Sequence, residues 1–188
     1  TAGVASTQYY KYHPDSESRH TFDGLSTQNL DSISSWSDGY STSVNADEQV
    51  IVYEKITDRA GNVTYINNQE GVIADNTSPT APEIKITAAE PAQGIYNASV
   101  PFTIDVTDPE NGGTYAGLKE VSYEITNNGK VTQSGNYNSD LSDPTARVHN
   151  IHRSETVNAE LNNSNHVTIK VKAVDYAGNQ SEATKDLK

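Results

Sequence analysis

Residues 166–179 read HVTIKVKAVDYAGN, and residues 49–62 read QVIVYEKITDRAGN, so one pattern occurs twice in the chain. In both copies, a run rich in β-branched residues leads into an Asp-x-Ala-Gly-Asn turn. Such runs are typical of strands, and Gly and Asn tolerate the positive φ of a tight hairpin. Each copy therefore predicts a long β-strand that ends in a hairpin, with the aspartate capping turn amides.

Two further matches keep the same order along the chain and a similar offset. That offset, roughly 115 residues, is the size of one small β-sandwich domain rather than of a solenoid turn. The matching stretches are residues 2–9 with 116–123 and residues 43–46 with 156–159. The front half of the second copy has no counterpart in the first, so we expect the first module to lack its N-terminal strands.

Further features of the sequence predict strands, turns and a linker. Asn128-Gly129 predicts a further hairpin, and the prolines of residues 75–82 predict a stiff linker. No segment shows a sustained helical stripe, and the polar stretches 14–38 and 134–153 are expected to be loops and short edge strands. The expected strands are residues 7–12, 50–56, 83–87, 100–106, 121–125 and 167–174.

Composition narrows the classes of function. A net charge of -12 and a pI near 4.7 disfavour nucleic acid and anionic membrane surfaces as partners. No apolar run approaches the roughly 18 residues of a membrane span. Cysteine is absent, which excludes disulfides and thiol chemistry. The chain begins with neither Met nor a signal-like segment, so we expect a piece of a longer protein.

Three motifs together carry a resemblance to a known family. They are the Ala-Gly-Val or Ala-Gly-Leu strand opening, the Asp-x-Ala-Gly-Asn hairpin and the Asp-x-Thr-x-Pro-x-x-Pro junction of residues 75–82. Their order resembles the tandem bacterial immunoglobulin-like (Ig-like) repeats of large secreted or cell-wall-anchored surface proteins. The resemblance implies an all-β chain of two Ig-like β-sandwich modules in tandem, located outside the cell.

The domain prediction follows from the repeat and the linker. Residues 1–78 are expected to form the truncated Ig-like module, with the interdomain linker starting at about residue 75, and residues 79–188 the complete module. Neighbouring Ig-like modules of the same chain are the first expected partners. Because missing strands leave an unpaired sheet edge, a strand-exchanged homodimer through residues 1–74 is also expected.

Acidic residues near the module ends are candidate ligands for calcium, which prefers several oxygen ligands. Turn capping by aspartate explains the same residues without a metal, so both readings stay open. No other cofactor is expected. The candidates are Asp58, Asp75, Asp108, Glu110 and Asp175.

Aromatic residues of the first module are candidate contacts for a glycan or a host protein such as an immunoglobulin. They are Tyr12, Trp36 and Tyr40. The alternative is that the tyrosines pack the sandwich core and Trp36 covers its open edge.

Catalysis is not expected, because no nucleophile, base or paired acid is patterned as an active site requires. The sequence therefore predicts a non-catalytic structural spacer or adhesin module. A dedicated binding module, or an accessory domain of a larger secreted enzyme, is the alternative.

Overall fold

The computed structural model describes residues 2–14, 24–39, 43–68, 71–89, 96, 99–158 and 166–187. The chain is all-β and divides into two compact units. The first comprises Thr1–Asp75 together with Asn111–Thr114, and the second comprises Asn76–Glu110 and Tyr115–Lys188.

The first unit is built on a four-stranded antiparallel sheet. Its order is β1-β2-β3, and β4 pairs with the start of β2. A short helix, α1, lies between β1 and β2 in the chain. The elements are β1 (Val4–Tyr12), α1 (Thr27–Ser32), β2 (Glu48–Asp58), β3 (Val63–Asn67) and β4 (Val72–Ala74).

Leu30 of α1 packs with Ile51 and Tyr53 of β2 in the core of this unit. Tyr10 and Tyr12 pair directly with Tyr53 and Ile51, so these four side chains share one face of the sheet. The buried face of the first unit is therefore the face that α1 covers.

The second unit is a sandwich of two antiparallel sheets. One has the order β11-β10-β7-β8 and the other β5-β6-β9. Two 3-10 helices, Asn138–Leu141 and Pro144–Ala146, lie between β8 and β9. The strands are β5 (Glu83–Ile86), β6 (Val100–Thr107), β7 (Leu118–Asn127), β8 (Lys130–Asn136), β9 (Asn150–Val157), β10 (Val167–Asp175) and β11 (Gln180–Leu187).

Period-two burial builds the core of the second unit. Val167, Ile169, Val171 and Ala173 of β10 are fully buried, while the residues between them are more exposed. β6 shows the same alternation, with Phe102 among its buried residues. Apolar side chains from both sheets therefore meet in one layer, as in an Ig-like sandwich.

The three hairpins predicted from the sequence are confirmed. Gly61 (φ 86°) turns β2 into β3, and Gly178 (φ 94°) turns β10 into β11. Asn128 and Gly129, with φ of 49° and 80°, form the turn between β7 and β8, and two positive φ angles in succession suit a tight hairpin.

The polar stretches are more structured than predicted. Residues 14–38 include α1, whose N-terminus is capped by the Ser26 hydroxyl accepting from the Asn29 amide at 3.2 Å. Residues 134–153 include the end of β8, both 3-10 helices and the start of β9. β8 and β9 lie at the edges of their sheets, as predicted. The prediction was wrong for α1 and the two 3-10 helices, because each is too short to show a periodic pattern.

None of the described helices has the length and apolar character needed to cross a membrane.

Candidate functional site

Two candidate ligands, Asp108 and Asp175, lie together in the second unit. Asp108 directly follows β6, and Asp175 is the last residue of β10. Both side chains are fully buried, and their carboxylate oxygens lie within 4.8 Å of each other. Neighbouring strand ends of the two sheets thus bring two acids into the same buried position.

Backbone and side-chain amides orient the two carboxylates. Asp108 Oδ2 accepts a hydrogen bond from the Gly117 amide at 2.7 Å. Asp175 Oδ1 accepts from the Asn179 amide, and its Oδ2 accepts from Asn179 Nδ2, both at 2.9 Å. These hydrogen bonds hold the carboxylates in place, and carboxylate oxygens are ligands that calcium prefers.

Only glycine fits at position 117. Its φ is +88°, and a Cβ there would lie 2.8 Å from the Cα of Arg147. A side chain would push this backbone segment away from Asp108, whose carboxylate depends on the Gly117 amide. The Ala-Gly-Leu strand opening of the sequence therefore has a physical role beside the acidic pair.

The charges of this pair favour a cation between them. Two ionised carboxylates buried this close repel each other, and burying each of them is costly without compensation. Calcium binds oxygen ligands at about 2.3–2.6 Å, so two ligands of one ion lie at most about 5 Å apart. The observed separation of the Asp108 and Asp175 oxygens falls within this limit.

The other three candidate ligands differ in environment. Asp75 is buried, with 8% of its surface exposed, and it is the last residue of the segment Thr1–Asp75 of the first unit. Glu110 is exposed in the second unit and lies outside the buried pair. Asp58, in the first unit, accepts hydrogen bonds from the amides of Ala60 and Asn62 at 2.8 and 2.9 Å.

Turn capping by the two hairpin aspartates, predicted from the sequence, is confirmed. Hydrogen bonds from Asn62, first from its side chain and then from its backbone amide, lower the pKa of the Asp58 carboxyl. Asp175 receives the equivalent bonds from Asn179. In the second unit a second buried acid, Asp108, lies beside Asp175. Among the described residues of the first unit, no acid is grouped with Asp58 in this way.

The aromatic candidates of the first unit take part in packing. The Trp36 ring stacks on Tyr65 at 5.6 Å and meets Tyr10 at 5.9 Å, and the Lys55 ammonium lies 5.6 Å from its centroid. The indole Nε1 is buried and has no hydrogen-bond partner in the described part of the chain. These contacts are those of a side chain that covers the core beside α1.

The other two aromatic candidates add little to a surface site. Tyr12 is half-buried and packs against the same core. Tyr40 lies outside the described residues. Binding of a glycan or a host protein through these residues stays a prediction.

A polar groove of about 390 Å³ on the outer face of the sheet β11-β10-β7-β8 was not predicted. Its lining includes Glu120, Glu124, Lys170 and Glu182, with Lys170 and Glu182 paired at 2.9 Å. The only indication in the sequence was that alternate residues of three strands are polar. Any sheet face in contact with water shows the same pattern.

The comparisons with known proteins agree with this architecture. The family model described as "Bacterial Ig-like domain" matches residues 1–76 and 93–187. No curated protein matches the chain.

Proposed function

Because the chain belongs to the bacterial Ig-like domain family, we propose that it is a non-catalytic structural module of an extracellular bacterial surface protein. In this role it serves as a spacer or adhesin segment, stiffened by calcium in its second unit. The observation that supports this most directly is the buried pair Asp108 and Asp175, whose oxygens lie within 4.8 Å.

The polar side chains with the best-defined partners support a structural role. Asp58 and Asp175 hold hairpins, and Glu155 accepts hydrogen bonds from Tyr137 and Tyr123 at 2.8 and 3.1 Å inside the second unit. Bonds of this kind fix turns and packing rather than activate a nucleophile. The absence of cysteine from the sequence suits an extracellular protein that does not depend on disulfides.

Calcium would act on the second unit by neutralising its buried acids. Asp108 and Asp175 come from different sheets, so one ion would tie β6 to β10. Isothermal titration with CaCl₂ tests the proposal: binding that Asp108→Asn abolishes supports it, and no heat of binding contradicts it.

A second experiment distinguishes a spacer from a dedicated binding module. Labelled chain is applied to a glycan array and to immobilised serum proteins, including immunoglobulin. A spacer gives no saturable binding. Saturable binding that Trp36→Ala removes, and that the control Val131→Ala at an exposed position of the second unit retains, would replace the spacer with a binding module.

A further inference from the structure

The second unit has two edge strands on one flank of its sandwich. Among the described residues, β8 is the outer strand of the sheet β11-β10-β7-β8, and β9 is the outer strand of the sheet β5-β6-β9. Gln133 of β8 donates a hydrogen bond to the Thr156 carbonyl of β9 at 2.9 Å, so both strands lie on the same flank. Edge strands of seven and eight residues without proline are long enough to pair with a strand of another chain.

Alternate residues of β9 direct their backbone groups away from β6. Pro101 of β6 lies opposite Thr156 and has no N–H, and its carbonyl accepts from Thr87, which follows β5. The pair of Pro101 and Thr156 therefore makes no ladder bonds, and the N–H and C=O of Thr156 point to the flank. By the same alternation, the backbone groups of His152 and Ser154 also point to the flank.

Side chains already occupy several of these outward backbone groups. The Gln133 side chain donates to the Thr156 carbonyl through Nε2 at 2.9 Å and accepts from the Asn158 amide through Oε1 at 3.2 Å. One side chain thus makes two bonds that the backbone of an added strand would make. Nη1 of Arg153 donates to the His152 carbonyl at 2.8 Å. A strand added to β9 would have to displace both side chains.

Two charged residues of β9 point inward at this flank. Arg153 and Glu155 lie on the same side of the strand as Ile151 and Val157, which are buried. An inward-pointing charge on an edge strand opposes strand addition, because the added strand would remove the charge from water. The Arg153 side chain is 36% exposed, and its Nη2 donates to Asp140 Oδ2 at 2.6 Å.

Glu155 joins the two sheets at the same flank. It accepts hydrogen bonds from the hydroxyls of Tyr137 and Tyr123 at 2.8 and 3.1 Å, and Tyr123 belongs to β7 of the other sheet. Gly135 of β8 lies opposite Tyr123, and a Cβ there would be 2.6 Å from the tyrosine ring. Because Gly135 has no side chain, the ring can lie against β8 with its hydroxyl beside Glu155.

We propose that Gln133, Arg153 and Glu155 form a clasp that closes this flank against strand addition by other chains. Gln133 and Arg153 occupy outward backbone groups of β9, and Glu155 ties β9 to β7 through Tyr123. The clasp lies within the second unit and uses neither of the buried candidate calcium ligands. Without the clasp, β9 becomes an edge that β9 of a second copy of the chain can extend.

Hydrogen exchange tests the clasp at a single bond. Gln133→Ala removes the acceptor of the Asn158 amide, so exchange of this amide, followed by NMR, should become about tenfold faster, as for the loss of one hydrogen bond. Ser134→Ala, at the next and exposed residue of β8, is the matched control and should leave the rate unchanged. Unchanged exchange of Asn158 in Gln133→Ala would overturn the proposal.

Sedimentation velocity of the full chain tests whether the clasp prevents association. The double variant Gln133→Ala with Arg153→Ala should associate about tenfold more strongly than the wild type, with circular dichroism showing an intact fold. Gln133→Ala alone should act in the same direction to a smaller extent. Adding Ser154→Pro to the double variant should return association to the wild-type level, because proline removes an outward N–H of β9 and breaks no bond to β6.

Two results of this experiment contradict the clasp. One is a folded double variant that associates no more strongly than the wild type. The other is association that Ser154→Pro leaves unchanged, since such association does not use the edge of β9.

Discussion

Asp175 accepts two hydrogen bonds from Asn179, one from its backbone amide and one from its side-chain nitrogen, both at 2.9 Å. Asp58 and Asn62 repeat this arrangement at 2.9 and 2.8 Å. Asp175 is fully buried, whereas Asp58 is partly exposed, so the cap itself does not depend on burial. The Asp-x-Ala-Gly-Asn motif is a self-contained hairpin cap that either environment accepts.

The hairpin cap of Asp58 should make the first unit sensitive to acid. The pKa of this carboxyl is lowered from 3.8 by the bonds from Asn62. A folded-state pKa below the unfolded value means that the stabilisation is present above pH 3.8 and is lost as pH falls through the folded value. Urea unfolding between pH 7 and pH 2 should therefore show a smaller acid-dependent loss in Asp58→Asn than in the wild type.

The matched control for this prediction is Glu124→Gln, which removes an exposed acid in the middle of β7. It should follow the wild-type pH dependence. An Asp58→Asn profile parallel to that of the wild type would show that the cap carries no pH-dependent stability.

Gly117 and Gly129 should differ in their tolerance of alanine. Both have positive φ, +88° and +80°, so alanine costs about 1–2 kcal/mol at either position. Only Gly117 faces backbone atoms of Arg147 at 2.8 and 3.0 Å, whereas a Cβ at Gly129 meets open space. Denaturant unfolding should show a clearly larger loss for Gly117→Ala; equal losses would contradict the close approach.

The hydroxyl of Tyr53 should hold residues 24–25 against the sheet. It accepts a hydrogen bond from the Leu25 amide at 2.5 Å, and the Tyr53 side chain is 1% exposed. Tyr53→Phe removes the acceptor and should cost about 1 kcal/mol of unfolding free energy. The control Tyr10→Phe loses a hydroxyl without a hydrogen bond in the described part of the unit, so it should cost much less. Equal costs would contradict this role.

Sequence analysis predicted the strands and hairpins well because their signals are local. Apolar and polar residues alternate along residues 167–174, and Asn128-Gly129 is a pair typical of a tight hairpin turn. The same analysis missed α1, since six residues hold less than two helical turns. Its one local signal was Ser26, a good N-cap residue three positions before Asn29.

The sites were harder to predict because they depend on contacts between distant residues. Asp108 and Asp175 were two of five candidate acids in the sequence analysis, and only the structure shows that they share a buried position. The covered face of β2 could not be predicted from its sequence, because a strand that is apolar on both sides does not show which side is packed against the core. In the structure, α1 covers the face of β2 that carries Tyr53.

Thermal unfolding with calcium and then with excess chelator tests most directly whether Asp108 and Asp175 form an ion site that stiffens the module. A hundredfold excess of calcium over its Kd adds about 2.7 kcal/mol to the folded state. We predict a rise of several degrees in Tm for the wild type and for Asp58→Asn, and none for Asp108→Asn. A wild-type Tm that does not respond to calcium, or an equal rise in Asp108→Asn, would contradict the account.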